Sequence, residues 1–253
     1  EFIKELLTGL TTPPGYFPKN VLMNIKGYES LDKIMDRATT PYSPEAFEAV
    51  ANETGALVLD TRNAEDFAKG FIPNSINIGL KGSFAQWVGE MIPDINQEIL
   101  LVTYEDKEKE AITRLSRVGY DNTVGFLKGG FDAWEKSGKD FEVTNRIDGS
   151  ELETLYKNKK PIIIDVRKKS EFDSEHAIGA INVPLNEINQ HLAQFPKDKP
   201  FVLHCAGGYR SMIAASILKQ RGWQDFTDVR GGFEDISKTS IPKSEYVCPS
   251  TLL

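Results

Sequence analysis

The chain has 253 residues, 40% of them hydrophobic and 26% charged, with a formal net charge of −7. That length accommodates two domains of about 100–150 residues, and the acidic balance argues against a general nucleic-acid binder. With two cysteines there is no disulfide framework, and Cys205 and Cys248 lack metal-ligand spacing, so a reducing, cytoplasmic setting is expected. No stretch approaches the ~18 apolar residues of a membrane span. The opening "EFIKELLTGL" lacks the basic start and apolar centre of a signal peptide. The chain opens at Glu1 and not at methionine, as expected of a fragment or a processed product.

Residues 1–40 come first, turn-rich around "TTPPGYFPKN", with Phe2, Ile3, Leu6 and Leu7 giving an apolar face that needs a partner. Ser43-Pro44 then places an N-cap before a proline at the first helical position. The apolar "ALVLD" (56–60) reads as a strand, followed by a second strand at Ile99–Val102. A helix ending at Gly119-Tyr120, a third strand and a Gly-Gly turn at 129–130 complete the series. The same succession returns. Ser150 with Glu153 fits a capping box, "PIIID" (161–165) and Phe201–Leu203 read as strands, and a helix ends at Gly222-Trp223 before Gly231-Gly232. Strands alternating with helical patterns favour a mostly parallel sheet covered on both faces.

The return is also literal. "LDTRNAEDFAKGFIPNSINI" (59–78) matches "IDVRKKSEFDSEHAIGAINV" (164–183) at Asp60/Asp165, Arg62/Arg167, Phe67/Phe172 and Asn77/Asn182, with Asp66 falling on Glu171. "VGFLKGGFDAW" (124–134) pairs with "FTDVRGGFEDI" (226–236). Two pairs in the same order indicate two copies of one domain, at 41–145 and 146–253, with 1–40 as an N-terminal arm. Asp165 and Arg167 recur in the first copy, which has no nucleophile. They therefore read as structural support at the sheet edge and not as acid–base catalysts.

The chemistry points to "FVLHCAGGYRSMIAASILKQRGW" (201–223), where Cys205 sits between a strand and a helix. Open α/β sheets place their ligands there. A buried small hydrophobe is the plain reading of a cysteine, but three neighbours favour an anion on the sulfur. Gly207 and Gly208 allow a tight fold with inward N–H groups, the helix opening near Arg210 or Ser211 adds its positive end, and Arg210 adds a planar cation. Removing one such donor typically costs ~2.7–4 kcal/mol, so the loop suits a charged group bonded to the sulfur.

"CAGGYRS", the repeated "D-x-R…EF…GAINVP" pattern and the "RGGF" turn resemble the rhodanese family of sulfurtransferases, over both copies. The resemblance implies an α/β fold of two rhodanese-like domains, each an open, mostly parallel sheet flanked by helices. It implies that Cys205 is the nucleophile, taking sulfane sulfur from thiosulfate or a low-molecular-weight persulfide and passing it to a thiol or cyanide. The backbone of Ala206, Gly207, Gly208, Tyr209 and Arg210 would cradle the sulfur, the Arg210 side chain would orient the donor anion, and Ser211 would cap the helix. Four residues separate Cys205 from Arg210, the sulfurtransferase pattern; related dual-specificity phosphatases and some arsenate reductases insert one more. Phosphatase or arsenate reductase activity is thus one rival, and a non-catalytic interaction module is another.

The first copy departs from the pattern. Its "LVTYEDKEKEAITRLSRVGY" puts Lys107 at Arg210 and Tyr104 or Thr103 near Cys205, in a loop about two residues shorter that carries Glu105 and Asp106. It is expected to be degenerate. His204 should point away from Cys205 along the strand, His176 reads as structural and His191 as a surface residue. Cys248 reads as a tail cysteine, and Trp87, Trp134 and Trp223 as core. "LTTPPGYFPKN" (10–20) resembles the tail of the metallo-hydrolase domain in fusions of a metallo-β-lactamase fold with tandem rhodaneses, the persulfide dioxygenase-like group. That resemblance implies a covalently linked upstream domain with an iron site. The chain itself is expected to hold no metal or cofactor, and its partners to be a small-molecule sulfur donor and a thiol acceptor, not nucleic acid or membrane.

Overall fold

The computed structural model describes residues 17–27 and 29–248. Each copy builds a five-stranded parallel sheet. The first holds β1 (Pro41–Tyr42), β2 (Leu57–Asp60), β3 (Ile76–Asn77), β4 (Ile99–Val102) and β5 (Thr123–Leu127), in the order β1-β5-β4-β2-β3. The second holds β6 (Arg146–Ile147), β7 (Ile162–Asp165), β8 (Ile181–Asn182), β9 (Phe201–His204) and β10 (Phe226–Val229), in the order β6-β10-β9-β7-β8. The central strands β4 and β9 are buried along their whole length, as expected of strands with helices on both faces.

Local signals explain the helix starts at Pro44 and Gly149. Ser43 caps the helix Pro44–Thr54, its hydroxyl accepting the Ala46 N–H, with Pro44 in the first turn. In the second copy the capping box lies two residues earlier than Ser150 and Glu153 suggest. Asp148 is the N-cap of the helix Gly149–Lys159, and Glu151 closes the box on the Asp148 amide at 2.8 Å. An aspartate two residues upstream outcompetes Ser150, whose own hydroxyl donates to Asp148 Oδ1. Glu153 instead accepts from Lys157 and Ser240.

The helix Tyr209–Gln220 joins the copies. Every residue from Ser211 to Leu218 is buried, although only part of its surface can face its own sheet. A helix apolar or small on all sides needs two partners, and the second is the β3 edge of the first copy. There the Asn77 N–H donates to Ser216 Oγ at 3.0 Å, Gln220 Nε2 donates to the Asn74 carbonyl at 3.0 Å, and the Tyr209 hydroxyl donates to the Gly79 carbonyl at 2.8 Å. Leu59, Phe67 and Ile78 of one copy and Met212, Ile213 and Ile217 of the other belong to a single core.

Within the N-terminal arm, helices span Phe17–Lys26 and Leu31–Ala38. Ile34 and Ala38 are buried in the core of the first copy. Phe2, Ile3, Leu6 and Leu7, and most of the 10–20 stretch, lie outside the described residues. Among the described residues no helix is long and apolar enough to cross a membrane.

An ion network crosses the junction. Arg146 Nε donates to Asp228 Oδ2 at 2.8 Å and its Nη1 to Glu65 Oε2 of the first copy at 2.9 Å. Asp228 is fully buried, and burial raises its pKa to about 6 against the pull of Arg146. With its pKa raised, the folded protein holds more protons than the unfolded chain between about pH 4 and 6. The stability contributed by this group therefore falls as pH rises through that window. Measured against Asp228→Asn, the wild-type protein should lose up to about 3 kcal/mol of relative stability between about pH 4 and pH 7. Denaturant midpoints of both proteins across that range check the slope; parallel curves would refute it.

Candidate active site

Strand β9 delivers Cys205 to the carboxyl edge of the second sheet, with His204 in register opposite Asp165. Cys205 is 1% exposed, and the Gly208 N–H donates to its Sγ at 3.2 Å. The chain can turn this sharply because Gly208 adopts φ +88°, a region open to glycine at no steric penalty. The carbonyls of Cys205 and Ala206 are turned outward onto the N–H groups of Phe233 (2.7 Å) and Glu234 (3.0 Å). With those carbonyls held away, the cleft is left to amides and side chains.

This pinning explains the repeated Gly-Gly-Phe. A Cβ on Gly232 would sit 2.5 Å from the carbonyl oxygens of both Cys205 and Ala206. In the first copy a Cβ on Gly130 would sit 2.7 Å from the Thr103 carbonyl oxygen. The helix after each Gly-Gly turn can approach the loop only where no side chain intervenes.

The cleft over Cys205 has a volume of about 390 Å³. The second copy lines it with Lys168, Cys205, Ala206, Gly207, Tyr209 and Arg210, and the first copy with Gly82, Ser83, Gln86 and Trp87. The structure thus brings the expected loop residues together, while Ser211 lies beneath them. The helix begins at Tyr209 with Gly208 as its N-cap, so Ser211 does not cap it. Ser211 is buried in the first turn.

Arg210 is held more tightly than the loop pattern suggests. Its Nη1 and Nη2 donate to Glu171 Oε2 and Oε1 at 2.6 and 2.8 Å, a bidentate pair. Burial works to raise the Glu171 pKa, but the hydrogen bonds and charge of Arg210 outweigh it and keep the carboxyl below its ordinary range. The guanidinium is therefore largely neutralised where a free donor-binding cation was expected. Lys168 lines the same cleft and enters no ion pair among the described residues.

Asp165 and Arg167 lock together at the end of β7. Arg167 donates through its amide, Nε and Nη2 to the Asp165 carboxylate, at 2.6–3.1 Å, and reaches on to the Glu175 carbonyl. Asn182 Nδ2 ties down both of their carbonyls. Asp60, Arg62 and Asn77 repeat this lock in the first copy. His204 is fully buried beside the lock, with Nδ1 3.1 Å from the Cys205 carbonyl oxygen, and burial holds its pKa below the ordinary value. His176 stacks on Phe172, and His191 lies 3.5 Å from Glu187. Trp87 is buried as expected of core and still forms part of the cleft wall. Cys248 is exposed near the end of the described chain.

In the first copy, register puts Thr103 at the place of Cys205, since Val102 faces Asp60 as His204 faces Asp165. The shortening lies in the helix and not in the loop. The helix opens at Glu108 after the segment 103–107, whereas the one in the second copy opens at Tyr209 after 205–208. The Tyr104 hydroxyl donates to Asp66 Oδ2 at 2.6 Å and accepts from Asn63 Nδ2 at 2.6 Å. Asp66 is the counterpart of Glu171, so Tyr104 takes the carboxylate partnership that Arg210 holds in the other copy. Burial and the Asp66 carboxylate push the Tyr104 pKa up to about 12. Among the described residues no group of three or more His, Cys, Asp or Glu is placed to hold a metal ion.

Lys168, Glu171 and the four cleft residues of the first copy are not marked as site residues by any local sequence pattern. The alignment of Glu171 with Asp66 was an available signal for one of them. Nothing in sequence order links residues 82–87 to Cys205.

The rhodanese-like domain family matches residues 43–137 and 148–239, and the chain belongs to that family. It is 37% identical over 76 residues to the uncharacterized protein YqhL of Bacillus subtilis, covering 30% of this chain and 60% of that one. It is 36% identical over 90 residues to the probable adenylyltransferase/sulfurtransferase MoeZ of Mycobacterium tuberculosis, covering 35% of this chain and 23% of that protein. The thiosulfate sulfurtransferase GlpE of Coxiella burnetii is 28% identical over 80 residues, or 32% of this chain and 75% of its own length. The chain thus spans less than two thirds of the first two relatives. The crystal structure of a thiosulfate sulfurtransferase from Pseudomonas aeruginosa aligns over 82% of this chain and 44% of its own, at 20% identity and a TM-score of 0.36.

Proposed function

We propose that the second copy is a sulfurtransferase that carries sulfane sulfur on Cys205. The observation that carries this reading is the Cys205 Sγ at the floor of an open cleft, with the Gly208 amide already directed at it. With thiosulfate, the Cys205 thiolate attacks the outer sulfur, the S–S bond breaks and sulfite leaves with its two negative charges. The sulfur stays on Cys205 as a persulfide anion beside the Gly208 N–H. A cyanide or thiolate acceptor then attacks the terminal sulfur, the new S–S bond breaks, and Cys205 returns to a thiolate. No oxidant or reductant enters.

Thiosulfate-dependent thiocyanate formation tests the reading. Release of phosphate from an aryl phosphate, with no thiocyanate, would replace it by a phosphatase. Absence of both activities would leave an interaction module. The cytoplasmic setting is part of this proposal, as is an upstream iron-bearing hydrolase domain. A His-x-His-x-Asp-His pattern ahead of Glu1 in the parent gene would support that domain.

Because Glu171 neutralises Arg210, recognition of an anionic donor falls to Lys168. Lys168→Met should raise the KM for thiosulfate about tenfold, about 1.4 kcal/mol of charge-assisted hydrogen bonding, and leave the acceptor KM unmoved. Steady-state kinetics with either substrate varied separates the two; an unchanged thiosulfate KM would return the role to Arg210.

A further inference from the structure

The first copy has lost its nucleophile but kept its cleft. A cavity of about 620 Å³ opens over Asn63, Asp66, Tyr104 and Lys107, the counterparts of the second copy's active-site residues. That volume falls in the range of small-molecule sites, about 300–1,000 Å³. The cavity adjoins the Cys205 cleft, with Gly82 and Tyr209 lining both. The Tyr209 ring lies between them, seated on Gly79 and Gly82, where an added Cβ would meet it at 3.4 and 3.3 Å. Its hydroxyl is anchored on the Gly79 carbonyl.

The charges around this cavity are balanced: Lys81, Lys107 and Arg114 against Asp66, Glu105 and Glu110. Lys107 and Arg114 both face Glu110, at 3.0 and 3.6 Å, and Asp66 is taken by Tyr104 and by Lys69, the latter at 3.4 Å. Lys81 and Glu105 stand outside the ion pairs among the described residues. One unpaired charge of each sign suits a ligand with both an ammonium and a carboxylate. A polyanion such as a nucleotide-borne thiol would meet Glu105 as an added like charge.

We infer that the vacated cleft of the first copy binds the body of a zwitterionic, low-molecular-weight thiol acceptor, an amino-acid or short-peptide thiol, whose sulfur reaches the Cys205 persulfide past Tyr209. The inference rests on the sulfurtransferase reading. The thiolate attacks the terminal persulfide sulfur, the S–S bond breaks, Cys205 leaves as thiolate, and the acceptor departs as its own persulfide anion.

The test uses the full chain with thiosulfate as donor and either glutathione or cyanide as acceptor. Lys81→Glu and Glu105→Lys should each raise the KM for glutathione about tenfold, about 1.4 kcal/mol, while the KM for cyanide, which needs no second cleft, stays put. Binding of S-methylglutathione, which has no thiol to react, should be measurable by calorimetry on the wild-type chain and weakened by the same substitutions. An unmoved glutathione KM, an equal shift with both acceptors, or absence of S-methylglutathione binding would overturn the inference. Absence of thiocyanate from the wild-type chain would instead overturn the sulfurtransferase reading, with the calorimetry still deciding whether the cleft binds a zwitterion.

Discussion

Replacing Cys205 by serine is expected to reduce thiocyanate formation to the assay background, a fall of at least ~10³-fold, the scale on which loss of a covalent nucleophile acts. Serine is nearly the same size, and the site is 1% exposed with the Gly208 N–H already in place to bond an oxygen, so the fold should survive. What is lost is chemical. A hydroxyl is a far weaker nucleophile than a thiolate, and it cannot carry a transferable sulfane sulfur. Peptide mass spectrometry after exposure to thiosulfate should find one added sulfur atom on the wild-type Cys205 peptide and none on the Cys248 peptide. Circular dichroism of the serine variant separates a dead site from an unfolded one. Residual turnover in a folded Cys205→Ser protein, or added sulfur on Cys248, would move the nucleophile elsewhere.

The paired sheets, the place of Cys205 and the Asp165–Arg167 pair are legible in the sequence because each rests on signals a few residues apart. Register alternation, a glycine pair and an i, i+2 ion pair are written locally and, here, twice. What escaped depends on partners distant in the chain. Arg210 looks like a free cation until Glu171, on a helix next to another strand, is brought to 2.6 Å. Helix Tyr209–Gln220 shows an apolar face in sequence, yet burial on all sides needs β3 of the other copy, more than a hundred residues away. The cleft contribution of residues 82–87 has the same cause. Capping shows the smaller error: Asp148 and Ser150 both satisfy a cap pattern, and only the extended backbone at Asp148 decides between them.

The second large effect is expected from neighbouring glycines that a sequence pattern cannot tell apart. Gly208→Ala should reduce persulfide formation by ~10²–10³-fold, because the Gly208 amide is the donor on Sγ and loss of one such donor costs ~2.7–4 kcal/mol. The alanine cannot keep that amide where it is. At φ +88° a side chain is strained by roughly 1–2 kcal/mol, and its Cβ would sit 2.2 Å from the Arg230 carbonyl oxygen, a backbone atom with no freedom to retreat. The loop must therefore shift as a unit, taking the N–H off the sulfur. At Gly207 the same methyl group meets nothing closer than Glu234 Oε1, at 3.5 Å, an ordinary contact with the end of a flexible side chain. Gly207→Ala should accordingly keep its unfolding midpoint and still form the persulfide, whereas Gly208→Ala loses both. Thermal unfolding together with intact-mass measurement of the two variants reads the difference directly. If both alanines behaved alike, the sulfur would not depend on the Gly208 amide, and the loop would serve only as a turn between β9 and its helix.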